Sequence, residues 1–141
     1  MPIWKTAAAL LAYLWLSGCA NTGAKTTIEA ETLLKTTASW DGTPYTTYPR
    51  GQPELTIVKI KIPPHSVLNW HTHPIPNAAY MLAGELTVET QKPGQTRLLK
   101  QGDTLAETVG VIHRGITGKL PAELIVFYAG VPMLPLTEKA K

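Results

Sequence analysis

The sequence predicts an all-β protein, and three observations favour this fold class. Between residues 55 and 129, seven or eight short runs alternate apolar and polar side chains or are rich in β-branched residues, as strands are. Turns that contain glycine or proline separate these runs. No run has the length and period of an interior helix, which leaves no room for a βαβ unit. A barrel or sandwich is therefore expected.

The first predicted strand, at residues 56–62, shows the alternation most clearly. Val58, Ile60 and Ile62 share one face, and lysines occupy the other until Pro63 ends the strand. Later strands are predicted at residues 67–73, 78–82, 85–89, 96–99, 105–108, 111–116 and 124–129. Turns are expected at Gly84, at Lys92-Pro93-Gly94 and at Gln101-Gly102-Asp103.

The segments that flank these strands are less regular. Residues 28–37 are compatible with a short helix or an edge strand, and the sequence does not decide between them. Residues 39–53 contain five glycines and prolines, so an extended loop is expected. Trp40, Tyr45 and Tyr48 in this loop should pack over the core as a lid, and stacking on a ligand is the alternative. The segment after Gly130 contains two prolines and should run over the surface.

The first 19 residues are predicted to be a processed leader. Lys5 precedes an apolar run at residues 7–16, which is shorter than the roughly 20 residues that span a bilayer. The run ends in Leu16-Ser17-Gly18-Cys19, which resembles the lipobox of bacterial lipoproteins. That resemblance implies a lipid anchor on Cys19, and Ala20 after it favours the outer membrane, with the body facing the periplasm. An uncleaved membrane anchor and an ordinary secretory signal are the alternatives.

The predicted organisation has four parts: a signal peptide at residues 1–19, a tether and N-terminal extension at 20–54, a barrel at 55–130 and a tail at 131–141. Cys19 is the only cysteine, so an internal disulfide is excluded. The net charge is +3, and no run of lysine and arginine gives the footprint of a nucleic-acid binder. We therefore expect a membrane-tethered domain that binds no nucleic acid.

Three of the four histidines form the most informative pattern in the chain. His71 and His73 are two residues apart on a predicted strand, so their side chains point to the same face. His113 lies on another predicted strand and would complete a site with three nitrogen donors. Such a site suits a divalent transition metal. Hydrogen-bonded histidines in a metal-free core are the alternative.

The spacing around these histidines resembles the two motifs of the cupins, which are small jelly-roll (double-stranded β-helix) barrels. The first motif, G-x5-H-x-H-x3,4-E-x6-G, is matched by His71-x-His73-x3-Asn77-x6-Gly84. The second, G-x5-P-x-G-x2-H-x3-N, is matched by Gly102-x5-Thr108-x-Gly110-x2-His113-x3-Thr117. The resemblance extends over residues 55–129. It implies a barrel that holds a metal or a small-molecule ligand and that commonly pairs as a homodimer.

Four positions depart from the cupin motifs. His65 replaces the first glycine, Thr108 a turn proline and Thr117 the last asparagine. Asn77 replaces the glutamate that typically supplies a carboxylate ligand in cupins. The resemblance therefore implies three histidine ligands, with a neutral amide from Asn77 or nothing as the fourth. A site without that anion should bind a metal less tightly and act as a stronger Lewis acid.

The sequence does not determine which metal is bound or which residues are catalytic. Three imidazoles suit iron, zinc, nickel, manganese, cobalt or copper. Alternation turns either Tyr80 or Met81 inward, and Tyr80 is a candidate catalytic residue. Glu107, if it faces inward, would pair with a metal-bound histidine or accept a proton from a substrate, whereas an outward Glu107 would only be solvated. His65 is expected to be a turn residue, and Arg114 should point away from the metal.

Two functions fit these residues. The first is a metal-dependent enzyme that acts on a small molecule in the periplasm, by oxygenase-type or Lewis-acid chemistry, with Glu107 or His65 moving protons. The second is a non-catalytic module that captures a small molecule or a metal for delivery or sensing. A purely structural role would leave the histidines unexplained. No feature of the sequence names a substrate, since a fold does not determine a function.

Overall fold

The computed structural model describes Met1 and residues 27–140. The strands are β1 (Glu54–Ile62), β2 (His71–Thr72), β3 (Asn77–Thr90), β4 (Thr96–Lys100), β5 (Thr104–Ala106), β6 (His113–Ile116), β7 (Ala122–Gly130) and β8 (Glu138–Lys139). Within the described ranges, no helix has the length and apolar character needed to cross a membrane. Apart from Met1, the predicted signal peptide with its Cys19 and the start of the tether lie outside the described residues.

All eight strands belong to one curled antiparallel sheet. Its order is β1-β7-β3-β6-β2-β8, and β4 and β5 also pair with β3. The first half of β3 pairs with β7 and β5, whereas its second half pairs with β4 and β6. Strand β3 therefore runs through both layers of the barrel. This arrangement confirms the predicted all-β jelly roll.

Alternating side chains fill the space between the two layers. On β1, Val58, Ile60 and Ile62 turn inward as predicted, while Lys59 and Lys61 are exposed. Removing an aliphatic side chain of this size from water stabilises a fold by roughly 1.5–3 kcal/mol. The most deeply buried apolar side chains are those of Ile75, Met81, Leu99 and Leu105.

Strand β3 departs from the prediction of two strands joined by a turn at Gly84. The strand Asn77–Thr90 is continuous, with a register shift between Met81 and Ala83. Gly84 has a φ of 76°, and a Cβ on it would lie 1.7 Å from the carbonyl oxygen of Pro121. Glycine is needed here both for the left-handed conformation and for the close approach of the neighbouring chain. The glycine therefore marks an irregularity within a strand and not a turn.

The N-terminal flank forms little regular structure. Residues 28–37 contain neither the helix nor the edge strand that the sequence allowed. The expected lid forms in part. The Trp40 side chain packs against the core, and the backbone N–H of Trp40 donates to the Ala106 carbonyl at 2.9 Å. Tyr48, in contrast, is 68% exposed and does not cover the core.

The C-terminal segment runs over the surface as predicted, and it is also paired with the sheet. Strand β8 pairs with β2, and the N–H of Ala140 donates to the Trp70 carbonyl at 3.1 Å. The segment is therefore tied to the edge of the sheet. A strand of two residues that is held by backbone atoms leaves no alternation in the sequence, which is why the pattern did not predict it.

Gly84→Ala should destabilise the protein far more than Gly102→Ala. Both glycines have positive φ, which costs an alanine roughly 1–2 kcal/mol. Only at Gly84 would the new Cβ also collide with backbone, because nothing lies within 4 Å of a Cβ on Gly102. We expect a loss of at least about 3 kcal/mol for Gly84→Ala. Urea unfolding of both variants measures the difference, and equal losses would contradict the role of the Pro121 contact.

Candidate metal centre

Three histidines converge where strands β2 and β6 meet. His71 in β2 lies directly opposite His113 at the start of β6, and His73 follows β2 by one residue. The three ring centroids lie 4.4, 5.0 and 5.2 Å apart. One ring nitrogen from each histidine lies within 4.8 Å of the other two. The structure thus brings together the three histidines that the sequence singled out.

A backbone carbonyl orients each of these rings. Because a carbonyl oxygen only accepts, each Nδ1 carries the proton and each Nε2 keeps its lone pair. Second partners of this kind fix the tautomer in metal-binding histidines, so the donor set fits a metal ion. The Nδ1 atoms lie 2.8 Å from Asn69 O for His71, 2.7 Å from Leu136 O for His73 and 2.9 Å from Val111 O for His113.

Two of the residues that depart from the cupin motifs are buried and make hydrogen bonds that the sequence did not predict, one to His113 and the other between the end of β6 and the residues after β1. Thr108 is fully buried, and its Oγ1 lies 2.9 Å from Nδ1 of His113. The Oγ1 of Thr117 donates to the Pro63 carbonyl at 2.6 Å and accepts from the Ser66 N–H at 2.9 Å. In the sequence, the only indication of these contacts is that both threonines belong to the same motif as His113.

Burial keeps the buried imidazoles neutral. Desolvation lowers the pKa of His73 to about 4, and it also lowers the pKa of His113 below its ordinary value. The hydrogen bond of each ring to a carbonyl opposes this effect, and the neighbouring histidines add to it. At neutral pH, both rings therefore offer a lone pair to a cation and need not first lose a proton.

Glu107 faces inward, which is one of the two orientations that the sequence left open. Its side chain is buried, and its Oε2 lies 3.6 Å from Nε2 of His113. Neither atom has a hydrogen-bond partner within the described chain. Burial raises the pKa of Glu107 to about 7. The Tyr45 hydroxyl donates to the backbone carbonyl of Glu107 at 2.6 Å and so anchors this segment.

Asn77 is buried on the inner face of β3, close to the histidines but not among them. Its Nδ2 donates to the Ile75 carbonyl at 3.1 Å, and its Oδ1 has no partner among residues 27–140. Its cross-strand neighbour, Tyr128, has its ring centre 5.7 Å from that of His73. Asn77 does not line the cavity beside the histidines. The geometry therefore supports Asn77 as a ligand less than it supports the histidines.

The remaining candidates lie away from the histidines. Met81 turns into the core, whereas Tyr80 lies on the outer face of β3 and does not line the cavity. A catalytic role for Tyr80 therefore has no support from its position. His65 is an exposed turn residue with a φ of 56°, at the place of the motif glycine. Arg114 points away as expected, where it pairs with Glu89.

A cavity of about 360 Å³ adjoins the three histidines. Its walls are mostly apolar and include Ile60, Val88 and Tyr128. Polar groups reach it from the histidines, from Glu107 and, in the C-terminal segment, from Lys139. Apolar walls with a few convergent polar groups are typical of sites for small molecules.

The fold and the histidine site can be compared with known proteins. The family model described as a cupin domain matches residues 58–128. The chain belongs to the cupin family. This cupin has its three motif histidines at one point and lacks the motif glutamate, in whose place Asn77 stands. A comparison with curated proteins found no match.

Solved structures similar to this cupin share its fold at low sequence identity. The polyketide cyclase RemF from Streptomyces resistomycificus is 17% identical, with a TM-score of 0.54 over 62% of this chain and 61% of that one. The DMSP lyase DddQ from Ruegeria pomeroyi is 22% identical, with a TM-score of 0.53 over 67% and 45%. A cupin-like protein from Thermotoga maritima is 18% identical, with a TM-score of 0.54 over 61% and 64%. The cupin thus spans less than two thirds of each of these proteins.

Glu107→Gln should stabilise the metal-free cupin increasingly as the pH rises. Folding raises the pKa of Glu107 from 4.5 to about 7, so stability linked to this group is present below pH 4.5 and is lost as the pH rises through 7. Glutamine has no proton to lose. The free energy of unfolding of the variant, relative to the parent, should therefore grow by roughly 3 kcal/mol between pH 4.5 and pH 8, at about 1.4 kcal/mol per pKa unit.

Urea unfolding of parent and variant across this pH range measures that difference. The contribution of His73 has the opposite sign, since its pKa falls on folding, but it is common to both proteins and cancels. A difference that stays constant with pH would contradict the buried, protonated state of Glu107.

Proposed function

We propose that this cupin binds one divalent transition-metal ion through the Nε2 atoms of His71, His73 and His113 and holds a small molecule in the adjoining cavity. The observation that carries the proposal is that the three rings lie together and each has its Nδ1 at a backbone carbonyl. A carbonyl only accepts, so the Nε2 of each ring is left as the metal donor, and one ring nitrogen of each histidine lies within 4.8 Å of the other two. Histidines that were merely satisfied core residues would not need this convergence.

Iron, zinc, nickel, manganese, cobalt and copper all accept imidazole nitrogens, so the donor set does not choose among them. When bound, such an ion supplies Lewis-acid or oxygen chemistry at an oxygen of the small molecule. The chain itself supplies the rest. The apolar walls offer contact to apolar parts of a small molecule, and Glu107 is the only carboxylate on the wall within the described residues. Glu107 either moves a proton to and from the bound molecule or binds the ion itself.

Catalysis is the use of the site that we propose, because the inward Glu107 and a cavity adjoin the three histidines. Two of the similar structures are, by their descriptions, a polyketide cyclase and a DMSP lyase. They show that this fold can carry enzymes, and their low identity transfers no substrate to this chain. A non-catalytic module that captures a metal or a small molecule is the alternative, and metal content together with turnover separates the two.

For the location, we propose a lipid anchor at Cys19 in the outer membrane, with the cupin domain facing the periplasm. The support is the order of sequence features: Lys5, the apolar run at residues 7–16, the lipobox-like Leu16-Ser17-Gly18-Cys19 and then Ala20. A tethered barrel would meet periplasmic small molecules, which agrees with a cavity of about 360 Å³.

Metal analysis of the full chain, purified in detergent without a histidine tag, tests the metal centre. The parent should hold about one ion per chain after loading, because a folded three-histidine site binds metal stoichiometrically. His71→Ala and His113→Ala should lose it, since each removes one of three ligands. His65→Ala is the matched control and should keep it, because His65 lies at a turn outside the site. A parent that binds no metal under any loading condition would contradict the centre and leave only metal-independent ligand binding.

Cys19→Ser tests the anchor. The parent should fractionate with the outer membrane, whereas the variant should appear in the soluble periplasmic fraction, because the serine hydroxyl does not replace the thiol that the lipid modifies. Cell fractionation followed by immunoblotting measures this, with a resident soluble periplasmic protein as the control. A variant that stays with the membrane would show that the lipobox interpretation is wrong.

A further inference from the structure

The carboxylate that the first cupin motif places at residue 77 is missing, but another carboxylate occupies the neighbouring strand. Ala78 pairs with Ala106 in the register between β3 and β5. One residue further, the N–H of Glu107 donates to the Asn77 carbonyl at 3.0 Å. Glu107 therefore lies directly across the ladder from Asn77. Residues that face each other across an antiparallel pair project to the same side of the sheet, so both side chains enter the interior.

The contacts of the two side chains differ. The amide of Asn77 donates to the Ile75 carbonyl, and Asn77 does not line the cavity. Glu107 lines the cavity together with the three histidines. Of the two positions, residue 107 thus presents an oxygen donor to the histidine nitrogens.

Two buried polar atoms without partners face each other at this point. They are Oε2 of Glu107 and Nε2 of His113, and no other atom of the described chain satisfies either one. Their separation is 3.6 Å, which is too long for a hydrogen bond. Two ligands of one tetrahedral ion lie about 3.4 Å apart when the metal–ligand bonds are about 2.1 Å. The gap therefore has the width that a shared metal ion requires.

A buried carboxylate in its ionised form needs a positive partner, because removing an unpaired charge from water is costly. Within the described residues, the only group at ion-pair distance from Glu107 is the ring of His113, which forms no hydrogen bond with it. A divalent ion bound by the histidines would supply the missing positive charge. It would also satisfy both of the unpartnered atoms at once.

We propose that Glu107 is the fourth protein ligand of the metal ion, so that this cupin has a site of three nitrogens and one carboxylate oxygen whose carboxylate comes from residue 107 in place of residue 77. The proposal rests on the three-histidine centre proposed above. It makes Asn77 a neighbour of the site and not a ligand.

Titration of the full chain in detergent with Co²⁺ tests this assignment, by calorimetry for affinity and by visible absorption for the ligand set. Glu107→Gln should weaken Co²⁺ binding at least tenfold and should change the cobalt absorption bands, because a charged ligand is replaced by a neutral amide. Glu85→Gln removes a carboxyl from the part of β3 beside Lys100 and is the matched control. It should keep the affinity and the spectrum of the parent.

The outcomes separate this proposal from the one on which it rests. If the parent binds no Co²⁺, the metal centre itself is wrong. If the parent binds Co²⁺ and Glu107→Gln binds it with the same affinity, Glu107 is not a ligand. Weaker binding with an unchanged cobalt spectrum would also overturn the proposal, since Glu107 would then act without touching the ion. If Glu107→Gln does not fold, the same Co²⁺ titration is carried out with Glu107→Asp. Its shorter side chain should lower the affinity and alter the spectrum, and parent-like binding would overturn the assignment.

Discussion

The positions of the residues in the candidate metal centre depend on the pairing of strand β3. Its second half holds β6 in register, which places His113 opposite Thr90. Strand β6 in turn holds β2 and therefore His71. The first half of β3 holds β5, whose end positions Glu107. One long strand thus aligns both layers of the barrel, and a shift of one residue in its register would turn the side chains of its neighbours to the opposite face.

Burial sets the electrostatic character of the centre. It lowers the pKa of His73 and His113 and raises that of Glu107, so it favours the uncharged form of each group. In the absence of an ion, the interior therefore carries little net charge and tolerates the apolar walls beside it. An ion would then bring the dominant charge of the site, and polar groups of a bound molecule would respond mainly to it.

Local patterns in the sequence were sufficient to predict much of the fold and the three histidines. Alternation gave the inward face of β1, and the spacing of His71, His73 and His113 predicted their convergence. The sequence could not decide the orientation of Glu107 or the inward choice between Tyr80 and Met81. Both depend on the register between strands distant in sequence, which alternation within one strand does not determine.

The backbone interactions that complete the site were beyond sequence reasoning for a different reason. The carbonyl that orients His73 belongs to Leu136, and any residue type would provide the same oxygen. Strand β8, which binds the edge of β2, is equally independent of side chains. Nearly every residue carries the same backbone N–H and C=O groups, so no residue type in the sequence predicts such contacts.

Residues 136–140 contact the histidine site but lie outside strands β1 to β7. Strands β1 to β7 end at Gly130, and the core side chains of the barrel lie almost wholly within them. Cleavage after that point would remove the carbonyl that orients His73, the strand that flanks His71 and the Leu136 side chain, which packs against the core. The orientation of the candidate metal ligands therefore depends on a segment that lies beyond the strands that form most of the core.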